Sequence, residues 1–147
     1  RGALNYWKSS FLSQLSDAAI DTLISRFEVC PSPMSGLVLE HFHGAATRVG
    51  VGETAVPHRQ ESYNLLVVSE WLGAPDNARN IAWARESYDA MRPWFASARY
   101  VNYLGDDEGE GSVQAAYGPN YERLRALKAK YDPTNLFHLN QNIRPGP

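Results

Sequence analysis

The apolar residues between positions 15 and 29 recur at the spacing of an α-helix. Those on one side of that helix are Ile20, Leu23, Ile24 and Phe27. Ser16 has the hydroxyl of a good N-cap, and Asp17 places a negative charge in the first turn. We therefore predict a helix that begins after Ser16 and buries one side.

Two later segments have the apolar and β-branched composition of strands. The first is GLVLEHF at residues 36–42, and the second is ESYNLLVVSEW at residues 61–71. The continuous apolar centre of the second, residues 65–68, indicates a strand covered on both faces. Between them, the glycines and proline of residues 43–59 predict a further strand, a turn and a close approach of the backbone to another segment.

Helical spacing returns in residues 73–95 and 118–133. The apolar sides are formed by Ile81, Ala84, Tyr88 and Met91 in the first of these helices and by Tyr121, Leu124, Leu127 and Tyr131 in the second. Pro93 is expected to end or kink the first helix. Pro119 suits the start of the second, and Pro133 stops it.

The order of elements is helix, strands, helix, a short strand at residues 100–103, and helix. This order predicts an α+β fold in which an antiparallel sheet is covered by helices on one face. The last segment, residues 134–147, is neither periodic nor highly charged, yet it contains apolar side chains. We expect it to form an extended tail that docks on something else.

Length and charge exclude some partners. A chain of 147 residues has the length of one ordinary domain. The net charge of −2 and the dispersed Lys and Arg residues argue against a nucleic-acid partner. No apolar run approaches the ~20 residues that cross a bilayer, so we expect a soluble protein without a membrane partner. Cys30 is the single cysteine and forms no internal disulfide, which leaves cytoplasmic and secreted locations open.

Signals for metal sites and hydrolases are weak. His41 and His43 would share a strand face, with Glu40 or Glu53 nearby, but no third and fourth ligand follows at a characteristic spacing. The acidic stretch at residues 106–110 lacks the spacing of a calcium-binding EF-hand loop and is expected to be solvated. Neither G-x-S-x-G nor G-x-G-x-x-G occurs, which argues against a serine hydrolase and a dinucleotide-binding loop.

Tyr100, Asn102 and Tyr103 stand just before this acidic stretch. In a strand, Tyr100 and Asn102 would share one face, and Tyr103 would lie on the other face or in the following turn. A phenol has an ordinary pKa of about 10 and acts as a base only if its surroundings lower that pKa or if its deprotonation is concerted with another transfer. Residue chemistry alone favours core tyrosines whose hydroxyls bond to a carbonyl.

Residues 100–145 closely resemble the C-terminal segment of the berberine bridge enzyme-like FAD-linked oxidases, a branch of the vanillyl-alcohol oxidase type flavoproteins. The matching motifs, in order, are YVNY, an acidic turn, YGPNYERL, KAKYDPTNLF and NQNI. Weaker matches precede them in HGAATRVGVGETAVPHR, VVSEW and NIAWARESYDAMRPWF. The first thirty residues match only loosely.

The resemblance implies an FAD-dependent oxidase whose FAD domain comes first in a longer polypeptide. Residues 1–98 would be the later part of the substrate-binding domain, and residues 99–147 would be the C-terminal segment that returns to the FAD domain. The expected reaction oxidises a hydroxyl-bearing small molecule, with O2 as acceptor. The chain alone is expected to be inactive, and its tail is expected to dock on an FAD-binding domain in cis or in trans.

The same resemblance implies roles for particular residues. Tyr103 would be the catalytic base that takes a proton from the substrate hydroxyl. The residues expected to contact the flavin are Tyr100, Asn102, Asn140, Gln141 and Asn142. The residues expected to line the substrate pocket are Glu40, Phe42, Asn64 and Leu66. Some plant members place a glutamate base where Leu66 stands, so Tyr103 is the preferred base here.

A second interpretation stays open at this point. The chain would then be a non-catalytic α+β binding module, or one chain of a split enzyme that needs an FAD-bearing partner. In either case the apolar tail would need a partner to cover it.

Overall fold

The computed structural model describes residues 2–105 and 109–146. Its strands and α-helices are β1 (Leu4–Leu12), α1 (Asp17–Glu28), β2 (Gly36–Phe42), β3 (Ser62–Trp71), α2 (Asn77–Ala90), α3 (Glu110–Tyr117) and α4 (Tyr121–Tyr131). They fall into two compact units. The first unit comprises Arg1–His41 and Ser62–Ala96, and the second comprises Phe42–Glu61 and Ser97–Pro147.

The sheet of the first unit has the strand order β1-β3-β2, with β3 at its centre. β1 and β3 are antiparallel, and their register runs without a bulge from the pair Leu4 and Trp71 to the pair Leu12 and Tyr63. Residues 64–67 of β3 are all buried, which confirms the predicted strand covered on both faces. The predicted α+β fold with an antiparallel sheet is likewise confirmed.

Helices α1 and α2 form the core of this unit together with one face of the sheet. The buried core residues are Leu12, Ala19, Leu23, Leu65, Val67, Trp83, Ala84, Tyr88 and Met91. The predicted cap of α1 is confirmed, because the Ser16 side chain accepts a hydrogen bond from the Ala19 N–H at 3.3 Å. Only part of the predicted apolar side is buried, since Ile24 and Phe27 are 53% and 56% exposed.

Polar contacts tie α2 to α1. The indole N–H of Trp83 donates to the Arg26 carbonyl at 2.9 Å, and the Arg26 Nε donates to Ser87 Oγ at 3.2 Å. α2 ends at Ala90, and Pro93 lies in the short 3-10 turn that follows, as predicted. No described helix is long and apolar enough to cross a membrane.

The second unit contains α3 and α4, and Asn120 holds the loop before β3 against the start of α4. The Asn120 side-chain amide donates to the carbonyls of Val51 and Thr54 at 2.7 and 3.1 Å. Arg123 adds a hydrogen bond to the Gly52 carbonyl at 3.1 Å. Gly118 ends α3 with a φ of +47°, a conformation that side chains with a Cβ disfavour.

Two predicted strands are wrong. Where a strand was predicted at residues 100–103, the 3-10 turn Val101–Tyr103 forms, because the Tyr103 N–H bonds back to the Tyr100 carbonyl at 3.0 Å. The segment after β2 also starts as a 3-10 helix, Gly44–Arg48, and Gly44 takes a left-handed φ of +65°. Both segments satisfy backbone groups locally, whereas a strand needs a neighbouring strand to do so.

Two elements were not predicted, namely β1 and α3. α3 begins at Glu110, inside the stretch expected to be a solvated acidic loop. The rest of that prediction concerns residues 106–108, which lie outside the described residues. The division of the chain into residues 1–98 and 99–147 stays a prediction.

Candidate active site

The predicted tyrosine pair lies in an ordered aromatic cluster of the second unit. The rings of Tyr100 and Tyr103 meet edge to face, with centroids 5.1 Å apart and planes at 77°. Phe42 packs on Tyr100 in the same way at 5.9 Å. The Asn102 side-chain amide donates to the Tyr100 hydroxyl at 3.0 Å. These edge-to-face contacts fix the orientation of the Tyr103 ring within the turn.

The turn and the C-terminal tail share one open pocket of about 500 Å³. Its lining residues are Val101, Asn102, Leu104, Tyr117, Leu139, Asn140 and Gln141. Three residues predicted to contact the cofactor, Asn102, Asn140 and Gln141, therefore come together. The Gln141 amide also donates to the Leu104 carbonyl at 3.0 Å, which fastens the tail to the segment after the turn. Tyr103 does not line this pocket.

The tail turns sharply beside the pocket at Asn140, which has a φ of +57°. Asparagine is one of the few residues that adopt this left-handed conformation at moderate cost. The Asn142 N–H donates to the Asn140 carbonyl at 2.9 Å. The Asn142 Oδ1 is buried and has no hydrogen-bond partner among the described residues, so it could accept a hydrogen bond from a bound group.

Tyr117 is a pocket residue to which the sequence analysis assigned no role. It lies at the end of α3 and lines this pocket together with the predicted asparagines. Burial raises the pKa of its phenol above the ordinary value of 10.0, so Tyr117 stays protonated at neutral pH. The aromatic residue that opens the YGPNY motif was the signal available in the sequence.

His58 lies half-buried in the same unit. Burial lowers the pKa of its imidazole below the ordinary value of 6.5, while backbone hydrogen bonds at Arg99 and Ala116 act in the opposite direction. The ring is therefore neutral at neutral pH. His58 lines a small cavity together with Tyr100 and Tyr117, so a neutral histidine lies next to these tyrosines.

The predicted substrate-pocket residues fall in two places. Glu40, Asn64 and Leu66 lie in the sheet of the first unit, where the Asn64 Nδ2 donates to Glu40 Oε2 at 2.8 Å. Phe42 belongs to the second unit and packs on Tyr100. His41 stacks on Tyr63 at 4.6 Å. Within the described parts of the chain, no group of three or more metal-binding side chains is positioned to hold an ion.

The start of the tail is fastened to the end of α4 by an anchor formed by Lys128 and Asp132. The Asp132 carboxylate accepts from the N–H groups of Leu136 and Phe137 at 2.7 and 3.1 Å. The Lys128 ammonium donates to Asp132 and to the Phe137 carbonyl. The anchored segment presents three apolar side chains, Leu136, Phe137 and Leu139, that are 70%, 78% and 82% exposed.

The anchor is expected to weaken in acid. The hydrogen bond from Lys128 is the main cause that lowers the pKa of Asp132 below its ordinary value of 3.8. Because the folded pKa is the lower one, the anchor stabilises the tail above pH 3.8 and is lost as the pH falls below that value. NMR titration should show the Leu136 and Phe137 amide signals moving with a midpoint below 3.8.

The Asp132→Asn variant is expected to abolish this titration of the two amides. Asp21→Asn is the matched control, because Asp21 is an exposed residue of α1 that is far along the chain from the tail. A midpoint at or above 3.8 in the unsubstituted protein would contradict the anchor.

Comparison with known proteins identifies the family. Residues 99–144 match the family model described as berberine and berberine like. The chain is 31% identical over 137 residues to the FAD-linked oxidoreductase YgaK of Bacillus subtilis (strain 168), a match that covers 92% of this chain and 30% of that protein. This chain belongs to the berberine bridge enzyme-like family. Berberine bridge enzyme-like 23 of Arabidopsis thaliana is 28% identical over 159 residues, covering 94% of this chain and 29% of that protein.

Solved structures show that this berberine bridge enzyme-like chain has the family fold. A structure of berberine bridge enzyme matches with a TM-score of 0.86 at 20% identity, over 99% of this chain and 34% of the other. The glycopeptide hexose oxidase solved with teicoplanin matches with a TM-score of 0.85 at 24% identity, over 99% of this chain and 33% of the other. The chain thus spans about a third of the relatives that it matches, and one of them, YgaK, is described as an FAD-linked oxidoreductase.

Proposed function

We propose that the chain supplies substrate-facing and proton-handling side chains to an FAD-dependent oxidase. Its substrate carries a hydroxyl group, as a sugar, an alcohol or a hydroxylated natural product does, and O2 is the final acceptor. The observation that carries the proposal is the pocket in which Asn102, Asn140 and Gln141 come together, because Asn102 belongs to the same turn as Tyr103. The named activities of structural neighbours, hexose oxidase and glucose dehydrogenase, favour a sugar.

The donor set of this pocket fits the polar edge of a flavin. Side-chain amides both donate and accept hydrogen bonds without carrying charge, which suits a ring edge of alternating N–H and C=O groups. Asn102, Asn140 and Gln141 would hold that edge, and the buried Asn142 Oδ1 offers one more acceptor. When bound, FAD supplies the acceptor for a substrate hydride and is reoxidised by O2.

Tyr103 is the proposed base. As the phenolate, its Oη takes the proton of the substrate hydroxyl as the neighbouring C–H bond breaks and the hydride leaves that carbon for the flavin. Tyr100 holds the ring of Tyr103 edge-on, and Asn102 holds the hydroxyl of Tyr100, so the two residues position the base. Burial raises the pKa of Tyr117, so its hydroxyl keeps its proton and is available to donate a hydrogen bond in this site.

The exposed apolar side chains of the tail favour a partner domain that covers them. Leu136, Phe137 and Leu139 are each at least 70% exposed, although the anchor holds their backbone in place. Apolar side chains that are ordered and exposed fit a surface that another domain covers. The proposed partner is an FAD-binding domain, in cis or in trans. The same exposure favours the second candidate function, a non-catalytic module that binds such a partner.

The test is to express the complete reading frame that contains these residues and to measure bound flavin and O2 consumption. With a panel of sugars and alcohols, the purified protein is expected to be yellow and to consume O2. The isolated 147 residues with added FAD serve as the control and are expected to show no turnover. A colourless full-length protein, or O2 consumption by the isolated chain, would contradict the proposal. Adding a separate flavin domain to the isolated chain distinguishes a partner in trans.

A further inference from the structure

The sheet of the first unit has a second face, opposite α1 and α2, with its own chemistry. The register of β1 and β3 places Ser9 opposite Leu66 and Phe11 opposite Asn64. Side chains directly opposite each other in an antiparallel pair lie on the same face. These four residues therefore share one face, and all of them are buried, with exposures of 3%, 6%, 2% and 0% in the order named.

Two buried polar atoms on this face have no hydrogen-bond partner among the described residues. They are the Ser9 hydroxyl oxygen and the Asn64 Oδ1. Ser9 and Asn64 are diagonal neighbours, which lie about 7–8 Å apart in an antiparallel pair, with their Cβ atoms somewhat closer. One small polar group lying between them would reach both. A buried polar atom without a partner is costly, so two of them at one place point to a bound group.

Glu40 sets the direction of the Asn64 side chain. The Asn64 Nδ2 donates to the Glu40 carboxylate at 2.8 Å, which leaves the Oδ1 as the atom that needs a partner. The flip that would exchange Nδ2 and Oδ1 is disfavoured, because it would bring two acceptors together. A bound group must therefore donate a hydrogen bond to the Asn64 Oδ1, whereas it can either accept from or donate to the Ser9 hydroxyl.

A hydroxyl group satisfies both atoms at once. It donates its proton to Asn64 Oδ1 and accepts a hydrogen bond from the Ser9 hydroxyl. A carbonyl would leave Asn64 unsatisfied because it has no proton to donate. We propose that Ser9 and Asn64 bind one hydroxyl of a sugar or other polyol, and that Ser9 is a specificity-determining residue of the substrate site. The inference rests on the proposed function for the identity of this ligand as the substrate.

Ser9 should also behave unlike a structural serine in the ligand-free protein. Because its hydroxyl has no partner among the described residues, Ser9→Ala removes a buried polar group at no cost in hydrogen bonds and is expected to leave the Tm unchanged or raised. Ser10 is the matched control. It is the next residue of the same strand, is fully buried and faces the core side opposite Leu65.

The decisive experiment measures binding apart from turnover. The flavin-loaded protein with Tyr103→Phe is titrated calorimetrically with mono- and disaccharides and with their monodeoxy analogues. Adding Ser9→Ala is expected to weaken the best sugar about five- to tenfold, the worth of one hydrogen bond. For the analogue that lacks the bound hydroxyl, Ser9→Ala should change nothing, because the interaction is already gone. Ser10→Ala should affect neither ligand.

Each outcome decides for or against the inference. Equal affinities with and without the Ser9 hydroxyl for every sugar would show that the two atoms hold a structural water, and they would overturn it. Absence of binding of the whole panel to the Tyr103→Phe protein would overturn it as well. If sugars bind with the expected Ser9 dependence but the unsubstituted protein oxidises none of them, the proposed oxidase function fails while the hydroxyl site stands. Ser9→Cys, nearly isosteric, repeats the measurement if the alanine variant is unstable.

Discussion

Replacing Tyr103 by phenylalanine is expected to lower substrate oxidation by at least ~100-fold while the bound flavin is retained. The substitution removes only the hydroxyl that would take the substrate proton. The ring remains, so its edge-to-face contact with Tyr100 at 5.1 Å persists and the local packing is preserved. The measurement is kcat/KM from O2 consumption, with the flavin content of each preparation read from its visible absorbance.

Tyr131→Phe is the matched control for this experiment. Tyr131 ends α4 and is 74% exposed, so the loss of its hydroxyl is expected to leave turnover unchanged. If Tyr103→Phe oxidises substrate as fast as the unsubstituted protein, Tyr103 is not the base. Loss of flavin together with loss of turnover would instead assign Tyr103 to cofactor binding.

The largest expected effect on stability follows from Leu65→Ala. Leu65 lies in the central strand β3, is fully buried and belongs to the core formed with α1 and α2. Truncating such a leucine removes buried apolar surface and leaves a cavity, which together cost about 2–5 kcal/mol. That cost is a large part of the roughly 5–15 kcal/mol by which a typical domain is stable. Urea unfolding of the two proteins measures the difference in free energy.

Leu72→Ala provides the control, because Leu72 directly follows β3 and is 76% exposed. Its substitution is expected to change the free energy of unfolding by no more than about 0.5 kcal/mol. A loss below about 1 kcal/mol for Leu65→Ala would mean that the core described for this unit does not carry its stability.

One face of the sheet packs into the apolar core, and the other face carries the proposed hydroxyl site. Leu65 and Val67 point into the apolar core, whereas Asn64 and Leu66 point to the face that carries Ser9 and Glu40. Because strand side chains alternate, a single strand contributes to both faces. β3 thereby couples the stability of the first unit to the proposed hydroxyl site.

The sequence by itself determined the elements whose signals are local. The N-cap Ser16, the apolar repeat of α2 and the proline after α4 each act within a few residues, so α1, α2 and α4 could be predicted. The C-terminal motifs also indicated the berberine bridge enzyme-like family. The roles of Tyr103 and of the predicted flavin contacts stay predictions, although the structure places Asn102, Asn140 and Gln141 around one pocket.

Only the tertiary structure decided the features that depend on a distant partner. β1 was missed because its burial follows no apolar pattern: the polar Ser9 and Ser10 are buried, like Phe11 and Leu12, once β3 lies beside them. The strand predicted at residues 100–103 was wrong because the backbone there forms a hydrogen bond within the turn, from the Tyr103 N–H to the Tyr100 carbonyl. Ser9 carries no sequence signal at all. The proposed role of Ser9 depends on strand register, since pairing with β3 places its side chain on the same face as Asn64. No local sequence pattern encodes which strands pair.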